Sequence, residues 1–143
     1  MSKITGYSYV PQILQDPKGQ KFIQSYLPLI PVNIAKPSGL VSPQFDALLD
    51  SGSDRNLFPM SLAKYLDITF ENLKPKKIYG IGESPINAFP AKVTLWLGNK
   101  SYATDADFST KQNLPILGRD GFFNLFKSVK FDEKGQFVYI EEF

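Results

Sequence analysis

The sequence contains no histidine and no cysteine. Those two absences remove histidine-based triads, thiol nucleophiles, zinc sites built on nitrogen or sulfur, and disulfides. No apolar stretch approaches the roughly 18 residues of a membrane-spanning helix. The opening run Met1-Ser2-Lys3-Ile4-Thr5-Gly6-Tyr7 also lacks the apolar core of a signal peptide. A cytoplasmic chain with no membrane partner is therefore expected. Charge of one sign is scarce as well: 16 lysines and arginines stand against 14 acids, a net charge of +2. That excess is too small and too evenly spread to imply a nucleic-acid partner. The densest basic cluster, Lys74, Lys76 and Lys77, reads as a solvated approach to a strand. Carboxylate chemistry remains, with no metal and no cofactor required.

What is present points to β-structure. In 143 residues there are 11 prolines, 10 glycines, 12 phenylalanines and 7 tyrosines, distributed as short apolar runs between turn residues. An all-β fold is expected, in one domain at residues 29–143 preceded by an arm at 1–28. Within the arm, Asp16-Pro17-Lys18-Gly19 suits the tip of a hairpin. Strands are expected at 29–35 and 44–49, and a long hairpin over 76–97 around Gly80-Ile81-Gly82-Glu83-Ser84-Pro85. Gly98-Asn99 then turns the chain into a strand at 102–108, residues 115–118 form a brief buried strand, and a terminal hairpin surrounds Asp132-Glu133-Lys134-Gly135. A helical turn or two follows Pro59, and residues 120–126 are the best candidate for a short C-terminal helix.

Residues 45–53 read Phe-Asp-Ala-Leu-Leu-Asp-Ser-Gly-Ser, an apolar strand that delivers Asp50 into a Ser51-Gly52 turn. The strand pins the carboxylate, and Gly52 lets the chain fold tightly behind it with its amide free for a neighbouring carboxylate. No other aspartate is followed by Ser-Gly or Thr-Gly. Chemistry that needs two matched carboxylates must take the second from another copy, so a homodimer is expected. Rival readings are an ordinary Asx turn at a strand end and a phosphoryl-accepting aspartate, although Gly52 stands where the latter generally has a second acid. Gly80-Ile81-Gly82 fails as a dinucleotide loop because Pro85 occupies the third glycine position. Asp105 and Asp107 read as a solvated strand face rather than a cation site, and Tyr79 and Trp96 as packing aromatics, with Tyr79 also a candidate substrate contact.

Taken in order, Leu48-Leu49-Asp50-Ser51-Gly52-Ser53-Asp54, the glycine-tipped hairpin, and Leu114-Pro115-Ile116-Leu117-Gly118-Arg119-Asp120 resemble the retropepsins. These are the single-domain, dimeric aspartic proteases of retroviruses and their cellular and bacterial relatives. The resemblance spans roughly residues 27–131 and implies a closed, barrel-like β-fold. It assigns Asp50 as the catalytic carboxylate of an endopeptidase acting on protein or peptide substrates. It makes Ser51 and Gly52 the support of the active-site turn, and places Ser53 and Asp54 beside the substrate, with Asp54 paired to Arg119. Tyr79, Gly80, Ile81 and Gly82 would form a flap over the cleft. A peptide-binding module that cleaves slowly or not at all, and a domain that processes only its own precursor, are the alternatives on the same fold.

Overall fold

The computed structural model describes residues 2–70, 73–80 and 84–143. In chain order the elements are β1 (Ile4–Ser8), β2 (Val10–Gln15), β3 (Lys21–Leu27), β4 (Leu29–Ala35), β5 (Phe45–Leu49), β6 (Leu57–Pro59), the helix α1 (Met60–Tyr65) and β7 (Lys76–Ile78). There follow β8 (Ile86–Leu97), β9 (Lys100–Ser109), β10 (Ile116–Leu117), a 3₁₀ turn (Phe123–Leu125), β11 (Ser128–Asp132) and β12 (Phe137–Glu141). The chain is mostly β, as composition and turn spacing imply. Among the described residues no helix is long and apolar enough to cross a membrane.

Two units are distinct: residues 1–30 with 126–143, and residues 31–125. In the first, β2 and β3 form the hairpin expected around Asp16. Asp16 O accepts the Gly19 amide at 2.9 Å, and its side-chain Oδ1 accepts the amides of Lys18 and Gln20 at 2.9 and 2.8 Å. Gly19 adopts φ 85°, a left-handed conformation that costs glycine little. β12 lies between β1 and β11, antiparallel to both, and buries Val138 and Ile140. Tyr9 is buried in this unit and its phenol donates to Glu133 Oε1 at 2.7 Å. Burial, reinforced by the Glu133 carboxylate, pushes that phenol up to about 12.

The second unit carries the sheet order β4-β5-β10-β6-β9-β8-β7, and a further pairing of β4 with β8 closes six of these strands into a barrel. Closure covers the edges of those six strands, and β7 stays outside the ring, paired with the start of β8. Alternation on β4 sends Val32 and Ile34 inward, while β8 buries Ala88, Val93 and Leu95. β8 and β9 meet across the two-residue turn Gly98-Asn99, with Leu97 opposite Lys100. Phe58 is fully buried against the rings of Phe45 and Phe108, at centroid distances of 5.9 and 5.8 Å. Its truncation to alanine would cost about 3–5 kcal/mol. α1 starts after Pro59, buries Ala63, and ends where Asp67 turns left-handed at φ 60°. The helical segment expected over 120–126 is a single 3₁₀ turn, because Gly121 at φ 115° breaks any longer run.

Candidate active site

Asp50 stands where β5 ends, and the position of that end is dictated by a strand far away in sequence. β5 runs parallel to β10, with Leu48 opposite Ile116 and Leu49 opposite Leu117. The Leu48 amide donates to Pro115 O at 2.8 Å and the Asp50 amide to Leu117 O at 3.0 Å, so the backbone is fixed up to the aspartate itself. Beyond it the chain turns sharply: the Ser53 amide reaches Asp50 O at 3.1 Å, and the Gly52 amide donates to Asp50 Oδ1 at 2.9 Å. That last bond orients the carboxylate. A side chain at Gly52 would place its Cβ 3.2 Å from the same oxygen, so glycine leaves the carboxylate room. Ser53 Oγ donates to Arg55 O at 2.8 Å and stiffens the far side of the turn, while Ser51 is exposed.

The segment 118–120 crosses behind this turn. The Arg119 amide donates to Ser53 O at 2.9 Å and the Asp120 amide to Asp54 O at 2.8 Å. The Arg119 guanidinium forms an ion pair with Asp54 on the surface of the chain, where the two side chains are 60% and 84% exposed. Gly118 passes so close to Arg55 that a Cβ there would lie 2.4 Å from the Arg55 carbonyl oxygen. Only glycine fits this crossing.

Asn56 completes the support, and the sequence reading passed over it. Fully buried, it donates through Nδ2 to Asp105 O at 3.1 Å and Gly121 O at 3.0 Å, and accepts the Gly118 amide on Oδ1 at 3.0 Å. One side chain thus ties the strand after the Asp50 turn to β9 and to the 118–121 crossing. Its only signal in sequence was a polar residue just ahead of the apolar run Leu57-Phe58.

A cavity of about 610 Å³ opens beside Asp50. It is lined by Asp50, Gly52, Ser53, Asp54, Arg55 and Leu57 on one side and by Lys76, Lys77, Ile78, Tyr79 and Gly80 on the other, with Asp107 at its base. The volume lies within the range of about 300–1,000 Å³ common to ligand sites. β7 pairs with the start of β8, Lys76 opposite Ala88 and Ile78 opposite Ile86, so the first arm of the hairpin faces the same cavity as Asp50. Tyr79 is 71% exposed there and packs into no core. Ile81 and Gly82 lie outside the described residues.

Two readings from sequence are corrected here. Asp105 and Asp107 do not share a solvated face: Asp105 is half exposed and 3.7 Å from Lys92, whereas Asp107 is fully buried. Asp107 Oδ2 accepts Arg55 Nε at 3.1 Å and lies 2.7 Å from Lys76 Nζ. A buried carboxylate is tolerated because two cations reach it. By the same contact Lys76 is not merely solvated, although Lys74 and Lys77 are exposed. Alternation along β9 does not reveal this, since residues 106–109 are all buried and period two is lost. Among the described residues no group of three or more potential metal ligands converges.

Comparison with known proteins supplies the frame. No protein-family model matches the chain, and no curated protein matches it in sequence. Among solved structures it is similar to a retropepsin-like aspartic protease from Rickettsia conorii, with a TM-score of 0.61 and 13% identity over 99% of this chain and 94% of that one. The chain has the retropepsin-like fold. A protease of EIAV, solved with the inhibitor HBY-793, also aligns, over 67% of this chain and 85% of that one, at 20% identity and a TM-score of 0.48. Within the retropepsin-like fold, Asp50, Gly52, Ser53, Asp54, Tyr79 and Gly80 converge on one cavity, while Arg119 reaches the site through Asp54.

Proposed function

We propose that the chain is an aspartic endopeptidase that works as a homodimer, with one Asp50 from each protomer forming the catalytic dyad and no cofactor. The observation that carries this reading is the way Asp50 is held. Its amide is fixed to Leu117, its carboxylate is oriented by the Gly52 amide, and it lines a cavity walled on the far side by a glycine-bearing arm. A single such turn supplies one carboxylate, and hydrolysis of a peptide by this chemistry uses two.

Two carboxylates within hydrogen-bonding distance cannot both ionise cheaply, so a pair shares one proton. The ionised member takes a proton from a water held between them as that water attacks the peptide carbonyl. The protonated member hydrogen-bonds the carbonyl oxygen and passes its proton to it, which gives the tetrahedral diol. The first carboxyl then gives the water's proton to the departing nitrogen as the C–N bond breaks, and a diol hydroxyl returns a proton to the second, which restores the shared-proton pair. Residues 76–80 supply one wall against bulk water, which strengthens these hydrogen bonds.

The decisive experiment incubates purified chain with denatured proteins at mildly acidic and neutral pH, with and without pepstatin, beside an Asp50→Asn control. Expected is pepstatin-sensitive cleavage that Asp50→Asn lowers by several powers of ten, since an amide cannot take the water's proton. Excess Asp50→Asn chain should poison the wild type through mixed dimers. Binding of peptides without any cleavage would replace this reading with the peptide-binding module, and full activity of Asp50→Asn would remove Asp50 from the chemistry.

A further inference from the structure

We infer that the cleft wall made by Arg55 and Lys76 is a subsite for an acidic side chain of the bound peptide. The inference rests on the reading of this cavity as a peptide site and adds the class of peptide it selects.

The charges in the cavity are separated. Asp50 and Asp54 lie at the turn, and Asp54 is already engaged by Arg119. Beside the turn, Arg55 reaches across to Lys76, and the two converge on one oxygen of Asp107. Two cations thus share one buried carboxylate. Asp120 lies 3.6 Å from Arg55 Nη1 and is 68% exposed, where water screens it. The wall therefore keeps a positive excess.

The same contacts make the wall suited to recognition. Asp107 is rigidly buried and fixes the ends of two long side chains that would otherwise lose rotamer entropy on binding a ligand. Both remain reachable from the cavity, with Arg55 29% and Lys76 39% exposed. Arg55 commits its Nε to Asp107, leaving Nη donors, and Lys76 has three N–H groups of which Asp107 takes one. A carboxylate entering from an extended peptide would find preset donors of both kinds and form charge-assisted hydrogen bonds. A lysine at the same place would meet like charge, and a glutamine would forgo the charge term.

The test measures binding apart from cleavage. Fluorescence anisotropy on the Asp50→Asn chain follows a set of labelled octapeptide libraries in which one position at a time is fixed as Glu, Gln or Lys. Expected is one position at which Glu binds about five- to tenfold more tightly than Gln, Lys binds most weakly, and the preference shrinks as salt rises. Arg55→Gln and Lys76→Gln, introduced together, should reduce the Glu-to-Gln ratio below about twofold. Lys76→Gln alone, which leaves Arg55 on Asp107, should lower it measurably. Equal binding of Glu, Gln and Lys libraries at every position overturns the inference, as does a Glu preference that survives the double substitution, or no binding at all. Wild-type chain with the same libraries separates the two readings. Cleavage without acid preference retains the protease and overturns the subsite, whereas acid-selective binding without cleavage retains the subsite and overturns the protease.

Discussion

Replacing Asn56 by alanine tests the physical basis of the site most directly, because that side chain holds three separate segments together without touching the cavity. The substitution removes three hydrogen bonds. The Gly118 amide, buried at the crossing behind the Asp50 turn, is left with no acceptor. Asp105 O loses its Nδ2 donor, whereas Gly121 O keeps the Thr104 hydroxyl at 2.6 Å and suffers less. A stranded buried polar group costs about 1–3 kcal/mol, so one full loss and two partial ones amount to about 3 kcal/mol. At roughly 2–4 °C per kcal/mol for a chain of this size, the midpoint should fall by about 6–12 °C in calorimetry. Asn56→Asp provides the control of direction. It keeps an acceptor for Gly118 but turns a carboxylate oxygen toward two carbonyls, so it should destabilise at least as strongly as alanine. A shift below about 2 °C for Asn56→Ala, or a well-tolerated Asn56→Asp, would refute the assignment of Asn56 as the tie between β6, β9 and the crossing.

Gly118→Ala should lower the urea midpoint by an amount equivalent to about 3 kcal/mol or more, because its Cβ would collide with the Arg55 backbone rather than with a movable side chain; unchanged unfolding would refute the close crossing. Arg119→Ala, by contrast, should cost the isolated chain below about 1 kcal/mol, since its ion pair with Asp54 is exposed, and a larger loss in dilute monomer would show that Arg119 does more than pair with Asp54. For Tyr9, ultraviolet titration should reveal a phenol ionising near pH 12 that is missing from Tyr9→Phe. The folded value lies above the ordinary 10.0, so the stabilising contribution is complete below about pH 10 and is lost as pH rises toward 12. Tyr9→Phe should abolish that alkaline loss, and an unchanged alkaline profile would contradict the Tyr9–Glu133 contact.

Features written locally were legible in the sequence. The β2–β3 and β8–β9 hairpins follow from turn residues at their tips, and the strand leading into Asp50 follows from an uninterrupted apolar run. The order of the Asp50 turn, the glycine hairpin and residues 116–120 led to the fold. What stayed hidden depends on partners distant in the chain. β1 reads as part of a loose arm until β12 is placed beside it. Asp107 reads as a surface acid until Arg55 and Lys76 are brought to it, because charge alone does not say which side of a strand faces two cations. The shortening of the 120–126 helix to a 3₁₀ turn follows from the left-handed Gly121, whose role as a space for Asn56 Nδ2 and Asp105 O emerges only from the packing.

The parallel pairing of β5 with β10 also sets a schedule. Leu48 and Asp50 are secured by Pro115 and Leu117, and the turn after Asp50 by Arg119 and Asp120, all of which leave the ribosome long after Asp50 itself. A nascent chain that carries the aspartate but not residues 115–120 has no means of holding it in place, and closing so large a loop is slow compared with forming the hairpins. The carboxylate therefore exists during much of synthesis as an ordinary flexible residue. Assembly of the Asp50 turn coincides with near-completion of the 31–125 unit, so half-made chains lack the partners that fix this carboxylate.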